Sequence, residues 1–314
     1  MDMITSPIFL VGAERSGTTL LRLMLDHHTK IAFNYEFEFA VDRITKLGQW
    51  PSLTDYYKYL EIHRIFLDSN LSIDKDLDYP NLINSFLLQK QQRDGKEIIG
   101  ATVHHEFHHL HKIWPEARFI HLIRDGRDVA HSNILMGWAG NMFTGIDRWT
   151  TAENIWQNLQ TKLQPQQYIT VSYEKFIQNP EVGLQEICAF IGVEFDEKMF
   201  DYTKSTKYKL PNPKIIGRWR TQFSDYEIQL AESKAASLLT KNNYPLSGLP
   251  ILSITSGLKL RMYIQNRWKT NMMRMRRYSI NLYLQDILSR LLHIESWQKK
   301  VRLVINDCDR KNLK

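Results

Sequence analysis

Four short apolar runs stand out along the first half of the chain: IFLV at Ile8–Val11, IIGAT at Ile98–Thr102, RFIHLI at Arg118–Ile123 and YITV at Tyr168–Val171. They are too short for helices and are mostly apolar without alternation, the pattern of strands buried on both faces of a parallel sheet. Helical periodicity follows at Val129–Leu135, Asp147–Leu163, Val182–Ile191 and Tyr226–Leu239. Between Ala40 and Gln92 the sequence alternates helical segments with turn-rich breaks and offers no clear strand, so residues 40–95 read as a helical insertion able to cover a site. Strand alternating with helix predicts an α/β fold of three layers, a central parallel sheet flanked by helices. The breakers Asn243, Pro245, Gly248 and Pro250 then close a domain spanning residues 1–248 and leave 249–314 as a helical C-terminal extension.

Charge and composition narrow the class only a little. The 314 residues carry a net charge of +7, which favours anionic partners. Two cysteines far apart, Cys188 and Cys308, make no disulfide framework. With no signal-like N-terminus and no apolar run long enough to span a bilayer, the expected location is cytoplasmic or membrane-associated. The extension holds seven basic and no acidic residues from Lys259 to Arg277, interleaved with Met262, Ile264, Trp268, Met272, Met273 and Met275. It reads as a helix that packs on the core or on a sister subunit as a homodimer contact, or as a peripheral membrane contact. Nucleic acid is not expected, because no recognised binding module is present.

Candidate chemistry begins immediately after the first strand, in GAERSGTTLLRLML from Gly12. Gly12 and Gly17 have the spacing of a phosphate loop, but Thr18 and Thr19 stand where a nucleotide triphosphatase places Lys and Ser or Thr. A loop between strand end and helix start offers unpaired N–H groups and the positive end of the helix dipole. Ser16, Thr18 and Thr19 add hydroxyls, Gly17 allows close approach, and Arg15 supplies a planar cation. The second signal is ARFIHLIRDGRDVAHS, where a strand runs into Arg124 and a following helix brings up Ser132. Asp125, Arg127 and Asp128 read as a phosphate-site setting or as a surface charge cluster. Two anion-gripping strand ends in one sheet suggest a ligand with two separated phosphates.

These motifs together resemble those of the sulfotransferases that use 3′-phosphoadenylyl sulfate (PAPS), in the bacterial and tyrosylprotein branch. The resemblance extends to YITVSYEKFIQNPEVGLQEICAFIGV from Tyr168 and to IIGRWRTQF from Ile215. It implies a P-loop-like fold, PAPS as co-substrate and no metal requirement. Arg15, Ser16, Gly17, Thr18 and Thr19 would hold the 5′-phosphosulfate, and Arg124 and Ser132 the 3′-phosphate. Tyr173 would lie near the adenine, and Arg218, with Ser205 as a weaker match, would belong to the closing loop. Glu36, in FNYEFEF, occupies the position of the branch's general base, with Glu38 beside it. The tyrosylprotein branch also uses a Lys after the third strand, and the cytosolic branch a Lys-x-His. Here Thr102 replaces the Lys, so His104 or His105 is left to supply the missing proton donor.

The stretch Ala101–His111 holds five histidines. His105 and His109 are one helical turn apart, but no Cys or acidic third ligand recurs at a metal spacing, so no metal is expected. The loop Met136–Trp149 suits either an acceptor pocket or plain helix packing. Carboxylates next to Phe37, Phe39 and Trp138 suggest a small-molecule acceptor that carries a cation. The expected reaction is sulfuryl transfer to a hydroxyl or amine; the alternatives are a P-loop small-molecule kinase and a tyrosylprotein sulfotransferase.

Overall fold

A computed structural model describes residues 3–312. Its five strands are β1 (Ile8–Val11), β2 (Ile31–Glu36), β3 (Ile98–Val103), β4 (Arg118–Ile123) and β5 (Tyr168–Ser172). They form one parallel sheet in the order β2-β3-β1-β4-β5. Alternation along each strand divides the interior in two. Ile8 and Leu10 face a cluster with Leu21, Met24, Leu184 and Ile187, from helices Thr18–His27 and Pro180–Ile191. Phe9 and Val11 face the other side, with Leu82 and Phe86 of Tyr79–Asp94, Trp149 and Trp156 of Asp147–Gln160, and Leu230 of Asp225–Lys241. Burial on both faces explains the continuous apolar runs.

β2 was not expected as a strand. Its sequence IAFNYE breaks the apolar run with Asn34 and ends exposed at Tyr35, as suits the edge position it occupies. Its presence changes the meaning of residues 40–95. Helix Tyr79–Asp94 is the crossover between β2 and β3 and packs into the core, so it belongs to the sheet's own architecture. Only the shorter helices Leu53–Leu60 and Arg64–Asp68 remain as inserted pieces.

From β1 the chain moves outward to β2, and from β4 it moves the opposite way to β5. The C-terminal ends of β1 and β4 therefore flank a switch in strand direction, where open α/β sheets form a ligand crevice. Residues 249–312 add helices Ser256–Tyr278, Ile280–Leu291 and Glu295–Asn312. They dock on the domain. Met262 is buried in the core cluster, Asn266 Oδ1 accepts from the Gly140 N–H (2.7 Å), and the Asn306 amide donates to the Ile62 carbonyl (2.9 Å).

Candidate active site

The phosphate loop is shaped by two glycines. Gly12 has φ 145°, and a Cβ there would sit 2.3 Å from the Leu122 carbonyl oxygen. Gly17 has φ 97°, and a Cβ there would sit 2.3 Å from the Tyr173 ring. Any side chain at either position would displace backbone or a packed aromatic. Gly17 also opens helix Thr18–His27 with no side-chain cap, so the first-turn N–H groups are left for a ligand. The Ser16 hydroxyl is buried with no partner among the described residues, an orphan that an anionic oxygen would satisfy.

The two motifs expected to grip separate phosphates converge. Arg15 Nε donates to Ser132 Oγ (2.9 Å), and Arg124 Nη1 donates to the Arg15 carbonyl (3.1 Å). The Arg124 guanidinium lies 4.5 Å from the centre of the Tyr173 ring, and its Nε is another buried orphan. Tyr173 thus supports both Gly17 and Arg124. Arg218 is exposed on the late loop, near enough to Tyr173 and His131 to act on both electrostatically. Ser205 is not part of this group. Its hydroxyl bonds to the His27 ring (3.0 Å), at the opposite end of the ten-residue helix from the loop, about 15 Å away.

Asp125, Arg127 and Asp128, which follow Arg124, are buried and do not form a surface charge cluster. Arg127 is fully buried, held by both oxygens of Asp125 (2.9 and 2.8 Å), by Glu232 (2.6 Å) and by the Pro245 carbonyl (2.9 Å), with Trp219 stacked at 3.7 Å. Asp128 accepts from the backbone N–H groups of Gly217 (2.8 Å) and Trp219 (3.0 Å). The pairs lock the late loop onto the strand end that carries Arg124. Sequence reading missed this, although charges that directly follow a doubly buried strand are placed where burial is expected.

On the other side of the loop stands Glu36, half-buried at the end of β2. Burial, and then the charge of Glu38, push its carboxyl above the ordinary range. Glu38 does not continue the strand alongside it. It turns inward at the start of a short 3₁₀ helix and accepts from His104 through both the ring Nδ1 (2.6 Å) and the backbone N–H (3.1 Å). His104 Nε2 reaches Thr18 Oγ1 (2.9 Å). Burial pulls this imidazole down, but the Glu38 hydrogen bond, with the charges of Glu38 and Glu36, outweighs it and leaves the ring raised. A protonated His104 donates at both nitrogens, leaving the Thr18 O–H to point at the phosphate loop. His105, unlike His104, makes no hydrogen bond to the loop among the described residues. It faces away onto Asp42 (2.6 Å), which also accepts from Tyr59 (2.6 Å).

Phe37, Phe39 and Trp138 do not gather into one aromatic cage. Phe37 and Phe39 are fully buried in the core, and the Trp138 ring is covered by the guanidinium groups of Arg148 (4.9 Å) and Arg15 (5.9 Å). Arg148 in turn pairs with Glu14. Trp138 opens instead onto a cavity of about 420 Å³ shared with the extension, where Arg148, Arg274 and Arg277 outnumber the one acidic lining residue, Asp309. The loop Met136–Trp149 is therefore both pocket wall and packing surface: Gly137 contacts Met273, and Arg277 donates to the Met136 carbonyl (2.8 Å).

Comparison with known proteins agrees with this geometry. The sulfotransferase family profile matches residues 7–197. Protein-tyrosine sulfotransferase A of Caenorhabditis elegans is 26% identical over 211 residues, covering 63% of this chain and 53% of that protein. Protein-tyrosine sulfotransferase 1 of Homo sapiens is 33% identical over 132 residues, 40% of this chain and 33% of that protein. The chain thus spans about half the length, or less, of these relatives. Among solved structures, the sulfotransferase domain from the curacin biosynthetic pathway covers 78% of this chain and 100% of its own (TM-score 0.55, 16% identity). The sulfotransferase domain of the Synechococcus PCC 7002 olefin synthase covers 75% and 96% (TM-score 0.51, 21% identity). Both share the fold. With a profile that spans more than half its length and both phosphate motifs inside it, the chain belongs to the sulfotransferase family.

Proposed function

We propose that this protein is a PAPS-dependent sulfotransferase. One observation carries the reading: the Arg15–Ser132 and Arg124–Arg15 contacts bring the ends of β1 and β4 into one crevice with two unpaired buried donors, Ser16 Oγ and Arg124 Nε. Orphaned donors at the ends of two adjacent strands fit a nucleotide with two separated phosphates. PAPS, when bound, supplies the activated sulfuryl group. Ser16, Gly17, Thr18 and Thr19 hold the 5′ side, and Arg124 and Ser132 the 3′-phosphate, with Tyr173 and Arg218 flanking them. Arg15 neutralises charge on the departing phosphate oxygen. Glu36 takes the proton of the acceptor hydroxyl or amine, and its raised pKa brings it nearer the pH at which it works. His104 acts from behind the loop, through Thr18.

On the acceptor side we propose a group with anionic character. The arginine-lined cavity next to Trp138 supports this in place of the cation that the sequence suggested. A protein tyrosine is the second reading, supported by the names of the relatives. For the extension we propose contact with an anionic membrane surface, supported by the exposed row Leu260, Ile264 and Trp268 on a basic helix. No helix among the described residues is long and apolar enough to cross a membrane.

The test is incubation with labelled PAPS and a panel of neutral phenols, cationic alcohols, acidic small molecules and acidic tyrosine peptides, read as mass gain of one SO₃. Transfer is expected to acidic acceptors, with KM raised by Arg274→Ala plus Arg277→Ala. No binding of adenosine 3′,5′-bisphosphate in calorimetry would reject the nucleotide assignment. Transfer fastest to cationic acceptors would reject the acceptor assignment alone.

A further inference from the structure

Outside the sulfuryl-transfer site, the segment after His105 gathers side chains that the proposed reaction does not use. Glu106 has φ 50°, in the left-handed region, and turns the chain into the short 3₁₀ helix Phe107–His109. This brings one carboxylate and two imidazoles to the same point. Glu106 Oε2 is 3.9 Å from His108 Nδ1 and 3.7 Å from His109 Nε2, and the ligating atoms of all three residues lie within 4.8 Å of one another. Both ring nitrogens are buried and have no hydrogen-bond partner among the described residues. His109 is 5% exposed. A neutral imidazole nitrogen, buried and unpaired, costs free energy unless something satisfies it. Here two such nitrogens converge on one carboxylate at distances too long for hydrogen bonds.

We propose that Glu106, His108 and His109 bind a divalent transition-metal ion of the zinc class, separate from the sulfotransferase centre. Tetrahedral zinc with bonds of about 2.0–2.1 Å separates its ligands by roughly 3.3 Å, so these atoms need to close by only small side-chain rotations. Two imidazoles and one carboxylate are a zinc-type donor set. The Glu106 side chain is 44% exposed, which leaves an approach for the ion and for water as a fourth ligand. Lys112 and Lys162 act electrostatically on these rings and oppose any cation. The two imidazole donors favour zinc, copper or nickel over magnesium or calcium. The sequence hid the site because its two histidines, His108 and His109, are adjacent and not a helical turn apart. The tempting pair, His105 and His109, is separated in the fold, since His105 pairs with Asp42. The chain descends through this turn from His104 to β4, so a bound ion would pin the segment that carries His104.

The experiment uses the full chain stripped with a chelator, titrated with Zn²⁺ by calorimetry and with Co²⁺ by visible absorption. The wild type is expected to bind one ion per chain, with a tetrahedral Co²⁺ spectrum and a raised melting temperature. His108→Ala with His109→Ala should abolish that site, whereas His111→Ala, outside the cluster, should keep it. Circular dichroism checks that the double variant folds. If it does not, Glu106→Gln, a substitution at a partly exposed position, should weaken Zn²⁺ binding by about 10-fold or more. Absence of a saturable site in the wild type, or unchanged stoichiometry and affinity in the folded variants, would overturn the proposal.

Discussion

The two halves of the proposed site are built in opposite ways. The nucleotide half comes from strand ends and the turns directly after them: Gly12–Thr19 after β1, Arg124–Ser132 after β4, and Tyr173 after β5. Buried ion pairs brace it, with Arg127, Asp125, Asp128 and Trp219 tying the late loop to Arg124. The acceptor half is assembled from remote segments: Glu36 from the edge strand, His104 from the end of β3, Trp138 and Arg148 from the middle of the domain, and Arg274 and Arg277 from the extension. A half made from local chain geometry can be copied as a motif. A half made by long-range packing changes whenever any contributing segment does. The nucleotide is accordingly the common element of such an enzyme, and the acceptor its variable one.

The largest expected effect lies at the seam between the halves. Arg15→Ala removes a preorganised charge from the leaving oxygen and should lower kcat by about 10²–10³-fold. A variant that kept near wild-type kcat on a good acceptor would detach the loop from the chemistry. Glu36→Gln tests the acceptor half at nearly constant shape. It should bind adenosine 3′,5′-bisphosphate as the wild type does and lose about 10²-fold in rate. Because burial and Glu38 raise this carboxyl, and the base must be ionised, wild-type kcat/KM should fall on the acid side at a pH above the ordinary carboxylate range. That limb should vanish in the variant. If the limb persisted with full activity, the base role would move to His104.

A smaller effect separates the two phosphates. Arg124→Ala with Ser132→Ala should weaken adenosine 3′,5′-bisphosphate binding by roughly 10–100-fold, the scale of losing charged hydrogen bonds. The 5′-monophosphate should lose little. Equal losses in calorimetry would show that the two residues act on the loop as a whole, through the Arg15 contacts, and the comparison between halves would have to be redrawn.

This difference also explains what could be read from the sequence. β1, β3, β4, β5 and the helices that follow β4 and β5 are legible in local apolar patterns, and the candidate phosphate residues sit where those patterns end. β2 was missed because an edge strand with Asn34 and Tyr35 lacks the continuous apolar signal. The distance of Ser205 from the loop was not legible, because a short motif says nothing about which end of a neighbouring helix it meets. Phe37 and Phe39 were read as pocket walls, yet aromatic rings beside carboxylates are equally the core side of a turn, and the fold puts them there. The inward turn of Glu38 onto His104 depends on pairing between β2 and β3, which spans more than sixty residues of chain. No local pattern encodes that contact.

The smallest expected effect isolates the charge pair that lies behind the acceptor half, next in the chain to His104. His104 and His105 each meet a carboxylate, but His104 is buried against the loop, whereas the His105 side chain is 45% exposed. Burial lowers the His105 imidazole, but the Asp42 hydrogen bond outweighs it and pushes the ring up to about 9. A group raised on folding stabilises the fold fully below its unfolded pKa, near 6.5, and that contribution is lost as pH rises through about 9. Asp42 is lowered on folding, although burial alone would raise it, because the His105 and Tyr59 hydrogen bonds prevail. Its share is present above the ordinary Asp range and lost as pH falls below it. The pair should therefore contribute most between roughly pH 4 and 6.5. Solvent screening at this exposure limits it to about 1 kcal/mol or less. His105→Gln should lower the melting temperature at pH 6 by a few degrees at most, and by less at pH 9.5. An equal loss at both pH values would mean that the ring supports Asp42 by shape and neutral hydrogen bonding alone, so that this pair, unlike Glu38 and His104 within the acceptor half, would carry no working charge.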